Sequence, residues 1–318
     1  MTRPRSELVS LEATPYYHCI ARCVRRSFFF GVDDKGRDLS YRKPWFLQRL
    51  KLLGQVFAID IPAYAVMSNH YHLVLHIDQT RAKSWSRDEV IARWRQLYRG
   101  PELARRYAAG EQLPEVELQL LDEIVEVWRH RLCNISWFMA CLNYHIALHA
   151  NKEDGCTGHF WEGRFISQAL LDEAALLSCM AYVDLNPIRA GMAESLEESD
   201  FTSIQQRIRQ IRSGACDHQE TPILMSFSGG REQMDGPAFL PYGLKQYLEL
   251  VEWTGRIKRA DKRGNIKTRQ PNLIASLGLN ELQWQRLQVE IRKEATTMLN
   301  GLHKAQRFAV DKVIKTAA

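Results

Sequence analysis

The stretch Ala65-Val66-Met67-Ser68-Asn69-His70-Tyr71-His72-Leu73-Val74-Leu75-His76 constrains this chain more than any other. Aliphatic and β-branched residues flank a tight polar turn at Ser68-Asn69, which reads as two strands meeting. Side chains at i and i+2 of a strand share a face. His70 and His72 therefore project one way and Tyr71 the other. Two adjacent imidazoles on a rigid strand suit one metal ion. A bare His-x-His is more often a pair of core or sheet-face histidines. The metal reading thus depends on a third ligand and a reactive group elsewhere in the chain.

The surroundings support a sheet. From Tyr16 to Phe30, Tyr17, Cys19, Ala21 and Cys23 alternate with His18, Ile20, Arg22 and Val24, the pattern of a strand. Arg22, Arg25 and Arg26 cluster at its far end, as a solvated basic edge or as phosphate contacts. Phe46, Leu50 and Leu53 recur at i, i+4 and i+7, so residues 41–56 form a helix. Ala58 to Val66 is the next strand. The order strand, helix, strand, turn, strand implies an antiparallel sheet with a helix on one face.

Residues 79–130 form a helical insertion, opened in part by a capping-box pair, Ser86 and Glu89. Ile135, Phe138, Met139, Leu142 and Ile146 then mark a core-packing helix. It carries His145 and His149 at zinc-protease spacing. Ile146 stands where such an enzyme needs Glu, which weighs against a zinc hydrolase. After a polar loop, His159 to Ser167 reads as a strand entered through a turn. Asp172 is placed to cap a helix from Glu173 through Tyr182. Asn186-Pro187 ends or breaks that helix, and Gly191 ends a short turn after it.

Ser, Asp, Glu and a Ser-Gly-Gly stretch place a linker at 213–238. It separates a domain of residues 1–212 from a basic, mostly helical region, 239–318. Arg256 to Arg269 holds seven basic residues opposed only by Asp261. Such a run is a solvated face or a nucleic-acid contact. The net charge of +6 leans the same way, towards a polyanion. Seven cysteines without a C-x-x-C pair fit reduced thiols and argue against a cysteine zinc site. With no apolar run of membrane-spanning length and no signal-peptide pattern, the expectation is a soluble cytoplasmic protein.

Tyr182 is the reactive group that the histidine pair calls for. Asn186 stands four residues later, so on a helix the phenol and the amide share a face. Three motifs now occur in order: Met67-Ser68-Asn69-His70-Tyr71-His72, Gly158-His159-Phe160-Trp161-Glu162-Gly163-Arg164-Phe165, and Tyr182-Val183-Asp184-Leu185-Asn186-Pro187-Ile188-Arg189-Ala190-Gly191. Together they resemble the HUH-type single-tyrosine transposases, most of all the REP-associated tyrosine transposases. The resemblance covers roughly residues 14–210. Two features depart from that family: Tyr71 is bulkier and more polar than the usual residue between the histidines, and the insertion and tail exceed the compact core.

The resemblance implies an α+β fold, a ferredoxin-like antiparallel sheet backed by helices (the HUH fold). It implies Tyr182 as nucleophile, His70 and His72 as metal ligands, and Asn186 completing the site. The implied substrate is single-stranded DNA beside a REP-like hairpin. Two imidazoles and an amide with open positions suit Mg²⁺ or Mn²⁺. Arg22, Arg25, Arg26, Arg164 and Arg189 are the candidate DNA contacts, with Phe160 and Trp161 as stacking groups or core residues. The expected enzyme is a DNA nicking and joining transposase that needs no ATP and works as a monomer. The alternatives are a hairpin-binding protein of the same fold that mobilises nothing, and a zinc hydrolase using His145 and His149.

Overall fold

The computed structural model describes residues 9–24, 30–33, 35–213, 224–228, 238–280 and 283. Its centre is a four-stranded antiparallel sheet of β1 (Tyr16–Arg22), β2 (Ile59–Val66), β3 (His70–Ile77) and β4 (Ile166–Ala169), ordered β2-β3-β1-β4. Helix α1 (Lys43–Val56) connects β1 to β2. Helices α2 (Gln79–Ser84), α3 (Arg87–Arg95), α4 (Glu102–Ala108), α5 (Glu115–Leu132) and α6 (Ile135–Glu153) lie between β3 and β4. After β4 come α7 (Glu173–Asp184), α8 (Asn186–Arg189), α9 (Ser203–Ser213), α10 (Leu244–Arg256) and α11 (Leu273–Leu277).

The β2–β3 hairpin turns at Met67-Ser68-Asn69, where Met67 N–H donates to the His70 carbonyl at 2.9 Å. Register shifts within β2 between Asp60 and Ala63, across Pro62, which has no N–H to give. β2 is an edge strand, where a residue without a donor is tolerated.

Period-two alternation divides the side chains between two cores. Tyr17, Cys19, Ala21, Tyr71, Leu73, Leu75 and Ile77 enter the first, where Phe46, Leu50 and Leu53 of α1 meet them. The insertion joins the same core. The Ser86–Glu89 capping box opens α3, and Trp94 stacks on Trp128 of α5 with centroids 5.0 Å apart. Ala63, Ala65 and Val74 enter the second core, with Leu176, Met180 and Val183 of α7. Small residues there let α7 pack closely on β2 and β3. The sheet therefore carries helices on both faces, where the sequence pattern pointed to one. The helix from Glu173 is present as expected, but the second layer it forms with α9 and α10 has partners far away in sequence.

The tail shares this second core: Leu244, Tyr247, Leu248 and Val251 of α10, with Ile266 and Leu273, pack with Ala63 and Val74. Most of the expected linker, and all but one residue beyond 280, lie outside the described residues. On the second face Ile166 and Gln168 of β4 stand opposite Ile20 and His18 and are exposed. No helix among the described residues is long and apolar enough to cross a membrane.

Asp60 anchors one end of the β2–β3 pair. Its carboxylate accepts from Arg81 Nη1 at 2.7 Å and from His76 Nδ1 at 2.9 Å. Burial alone would raise its pKa; Arg81 and His76 outweigh that and hold it below the ordinary value. A depressed folded-state pKa contributes stability above the unfolded value of about 4, and that stability fades as pH falls through the folded value. Asp60→Asn should cost about 3 kcal/mol at pH 7 by stranding Arg81. Urea titrations between pH 7 and pH 3 should also show a shallower acid loss in the variant than in the parent.

Candidate active site

Four side chains from three elements meet on the second face. His70 and His72 project from β3, as alternation requires, with ring centroids 5.0 Å apart. His18 reaches across from β1. The register pairs Ile20 with His72 and Arg22 with His70, so His18 lies diagonally beside His72. Its Nε2 is 2.9 Å from His72 Nδ1, and the two rings are nearly parallel, 14° apart. Tyr182, on α7, sets its ring edge-on to His72 at 5.5 Å and to His18 at 6.1 Å. Tyr182 is 44% exposed while His72 is 2% exposed, so the phenol faces solvent above a buried imidazole.

The protonation pattern favours lone pairs. Burial pushes His18 down to about 4. Burial, then the charge of Arg22, pushes His70 down to about 4 as well. His72 lies well below its ordinary value through burial, with His70, His18 and Arg22 adding to the effect. All three rings are neutral at pH 7. His70 Nδ1 is 2.7 Å from Asn69 Oδ1 and donates to it, which leaves Nε2 with the lone pair. His72 Nε2 is buried, with no hydrogen-bond partner among the described residues. Such an atom in a folded interior asks for an occupant.

Asn186 lies one turn beyond Tyr182. Its amide nitrogen donates to the Tyr182 carbonyl at 3.4 Å, so Oδ1 remains an acceptor. The i, i+4 relation survives Pro187 because Leu185 stays helical (φ −85°, ψ −3°). The orphaned Nε2 of His72 has the chemistry of a cation ligand, as do the Nε2 of His70 and the amide oxygen of Asn186. Among the described residues, no three His, Cys, Asp or Glu side chains are grouped to hold a metal ion.

The other expected residues divide sharply. Arg22 is exposed at the end of β1, beside His70. Arg164 is exposed in the turn before β4, where Glu162 N–H donates to the Arg22 carbonyl at 2.8 Å. Arg25 and Arg26 lie outside the described residues. Arg189 does not join the site. It is 9% exposed, and its guanidinium donates to the carbonyls of Thr254, Ile257 and Gly264. Those carbonyls belong to the end of α10 and the basic run, so Arg189 fastens the tail. Phe160 is buried, and Trp161 packs on Tyr71 and donates to the Asn143 carbonyl at 2.9 Å; both are core residues, not stacking platforms.

Three other tyrosines, Tyr71, Tyr64 and Tyr144, are poorly placed to act as the nucleophile. Tyr71 is fully buried on the first face and donates to Asn143, and burial raises its pKa well above the ordinary value. Tyr64 is 1% exposed, its pKa raised by burial. Tyr144 is exposed on α6, the helix whose Asn143 meets Tyr71 on the first face. His145 and His149 also sit on α6, their rings 4.2 Å apart, with His149 against Trp45.

The basic run is largely engaged with its own surroundings. Arg256 pairs with Glu252 and donates to the carbonyls of Lys267, Gln270 and Pro271. Arg269 pairs with Glu194, and Ile266 is buried in the second core.

His18 was not singled out from the sequence. It was legible as a face residue of β1, but its register against β3 was not.

No family model and no curated protein matches the chain. Among solved structures, one described as a REP-associated tyrosine transposase bound to a REP hairpin is similar to it. The similarity covers 74% of this chain and 100% of that one, at 13% identity and a TM-score of 0.38.

Asp184 holds the Tyr182 helix in place. Fully buried, it accepts from Ser203 Oγ, Ile204 N–H and Tyr247 Oη, which ties α7 to α9 and α10. Burial pushes its pKa up to about 6 against those bonds and the nearby Arg207. Asp184→Ala strands three buried donors and should cost about 3 kcal/mol or more, read as a lower urea midpoint with an unchanged m-value.

Proposed function

We propose that this chain is a metal-dependent, single-strand DNA nicking and joining enzyme, a transposase, that acts beside hairpin-forming REP-like repeats through a Tyr182 phosphotyrosine. One observation carries the reading: a half-exposed phenol stands edge-on to a buried histidine whose Nε2 has no partner, with His70 beside it. The three ordered sequence motifs supply the substrate class. The strand order β2-β3-β1-β4, with helices between β1 and β2 and between β3 and β4, supports a ferredoxin-like core of the HUH kind.

The residues divide the chemistry. Tyr182 Oη attacks phosphorus and loses its proton; the bond to the 3′ oxygen breaks, and that oxygen takes a proton. The products are a 5′-phosphotyrosine and a free 3′-hydroxyl. Because the ester energy is conserved, another 3′-hydroxyl can reverse the step without ATP. His70, His72 and Asn186 would hold Mg²⁺ or Mn²⁺, which when bound supplies positive charge on a non-bridging phosphate oxygen. Arg22 and Arg164 stand at the exposed rim, where phosphates of an extended strand would run. The enzyme is proposed to act on DNA in the cytoplasm, as a monomer.

Tyr182→Phe keeps the ring and the packing and removes the attacking oxygen. It should bind a hairpin-bearing single strand within about twofold of the parent, yet lose nicking in Mn²⁺ by on the order of 10⁴-fold or more. Digestion of the parent's covalent adduct should map the label to Tyr182; a label on another tyrosine would sink the mechanism. His70→Ala and His72→Ala should each abolish the metal-dependent nick while retaining the far-ultraviolet spectrum. Tight hairpin binding by the parent with no nick in Mn²⁺ would instead identify a non-mobilising binding protein.

A further inference from the structure

We infer that His18 is a positioning residue: it accepts a hydrogen bond from His72 Nδ1–H and thereby turns the Nε2 lone pair of His72 into the site. The inference deepens the metal-site reading above, and only its affinity arm rests on that reading.

The argument starts from one short contact. His18 Nε2 and His72 Nδ1 are 2.9 Å apart, and one proton lies between them. If His18 donates, the proton of His72 must sit on Nε2. That nitrogen is buried and has no acceptor among the described residues. A stranded buried N–H costs about 1–3 kcal/mol. If His72 donates, Nε2 carries a lone pair, and unpaired acceptors are tolerated better than unpaired N–H groups. A second proton on His72 would bury a cation at 2% exposure beside two other imidazoles. The arrangement therefore selects His72 as donor and His18 as acceptor.

The backbone makes the contact rigid. β1 lies between β3 and β4 and is paired on both sides, with Ile20 opposite His72 and His18 opposite Val74. The near-parallel rings keep the Nδ1–H vector along the contact. An outer partner of this kind fixes the tautomer and ring angle of a ligating histidine and raises its basicity, and its loss typically weakens metal affinity 10–100-fold. Asn69 does the same for His70 by accepting from its Nδ1. The site then has two histidines, each oriented through Nδ1 and each presenting Nε2.

Two-bond ¹H–¹⁵N spectra of the histidine-labelled, metal-free parent read the tautomers directly. The expected result is a proton on Nδ1 of both His72 and His18. A His72 proton on Nε2 overturns the inference. Calorimetric titration with Mn²⁺ alone should then show His18→Phe, which keeps a ring in place, binding 10–100-fold more weakly than the parent. His18→Gln, which retains an acceptor, should recover part of that loss, and it serves as the variant should the Phe protein fail to fold. Parent-like Mn²⁺ affinity in both variants overturns the inference. A parent with the Nδ1–H tautomer that takes up no Mn²⁺ upholds the role of His18 and overturns the metal-site reading instead.

Discussion

The antiparallel pairing of β1 with β3 is the constraint from which the site follows. With Ile20 opposite His72, three imidazoles share one face and Tyr71 goes to the opposite core. Because side chains alternate with a period of two, a slip of one residue in β1 would send His18 into the first core and bring Cys19 up beside His72. The slip is resisted by burial. Tyr17, Cys19 and Ala21 fill the first core, and the Tyr17 hydroxyl bonds to the Ser10 backbone. Apolar packing on one face thus sets the chemistry on the other.

The second face needs its own fastening, because Tyr182 projects from a helix rather than from the sheet. α7 rests on the small residues Ala63 and Ala65, and it is tied at its C-terminal end by Asp184 to α9 and α10. Five residues on, Arg189 fastens the end of α10 and the chain following it through backbone carbonyls. Arg207 supports the same layer from α9, donating to the carbonyls of Pro62 and Met225 and lying over Phe227. The tail is therefore part of what holds the phenol in place, and the charges near Tyr182 in sequence serve packing.

Local patterns made much of this legible. Alternation placed His70 and His72 on one face and Tyr71 on the other. The Asp172 cap and the i, i+4 spacing placed Tyr182 and Asn186, and the cap is formed, Asp172 accepting from Ala175 N–H at 2.7 Å. What stayed hidden depends on distant partners. His18 needs a register that no short window contains. Arg189 looks like a phosphate contact until the carbonyls of residues 254, 257 and 264 are found around it. Phe160 and Trp161 carry the same side chains whether they stack on a base or fill a core, and Phe30 and Tyr71 decide the matter. The tail was readable only as mostly helical, and the packing of α10 against α7 was not legible.

The exposed side chains of Ile166 and Gln168, on the face that carries the histidines, have a topological consequence. α7 roofs β2 and β3, while among the described residues the β4 side of the same face carries no comparable roof. A tunnel admits a polymer only by its end, whereas a ledge can be reached from the side at any point along the polymer's length. A strand laid across β4 towards Tyr182 would need no free terminus. On the proposed reading, circular or very long molecules would be as accessible as short ones.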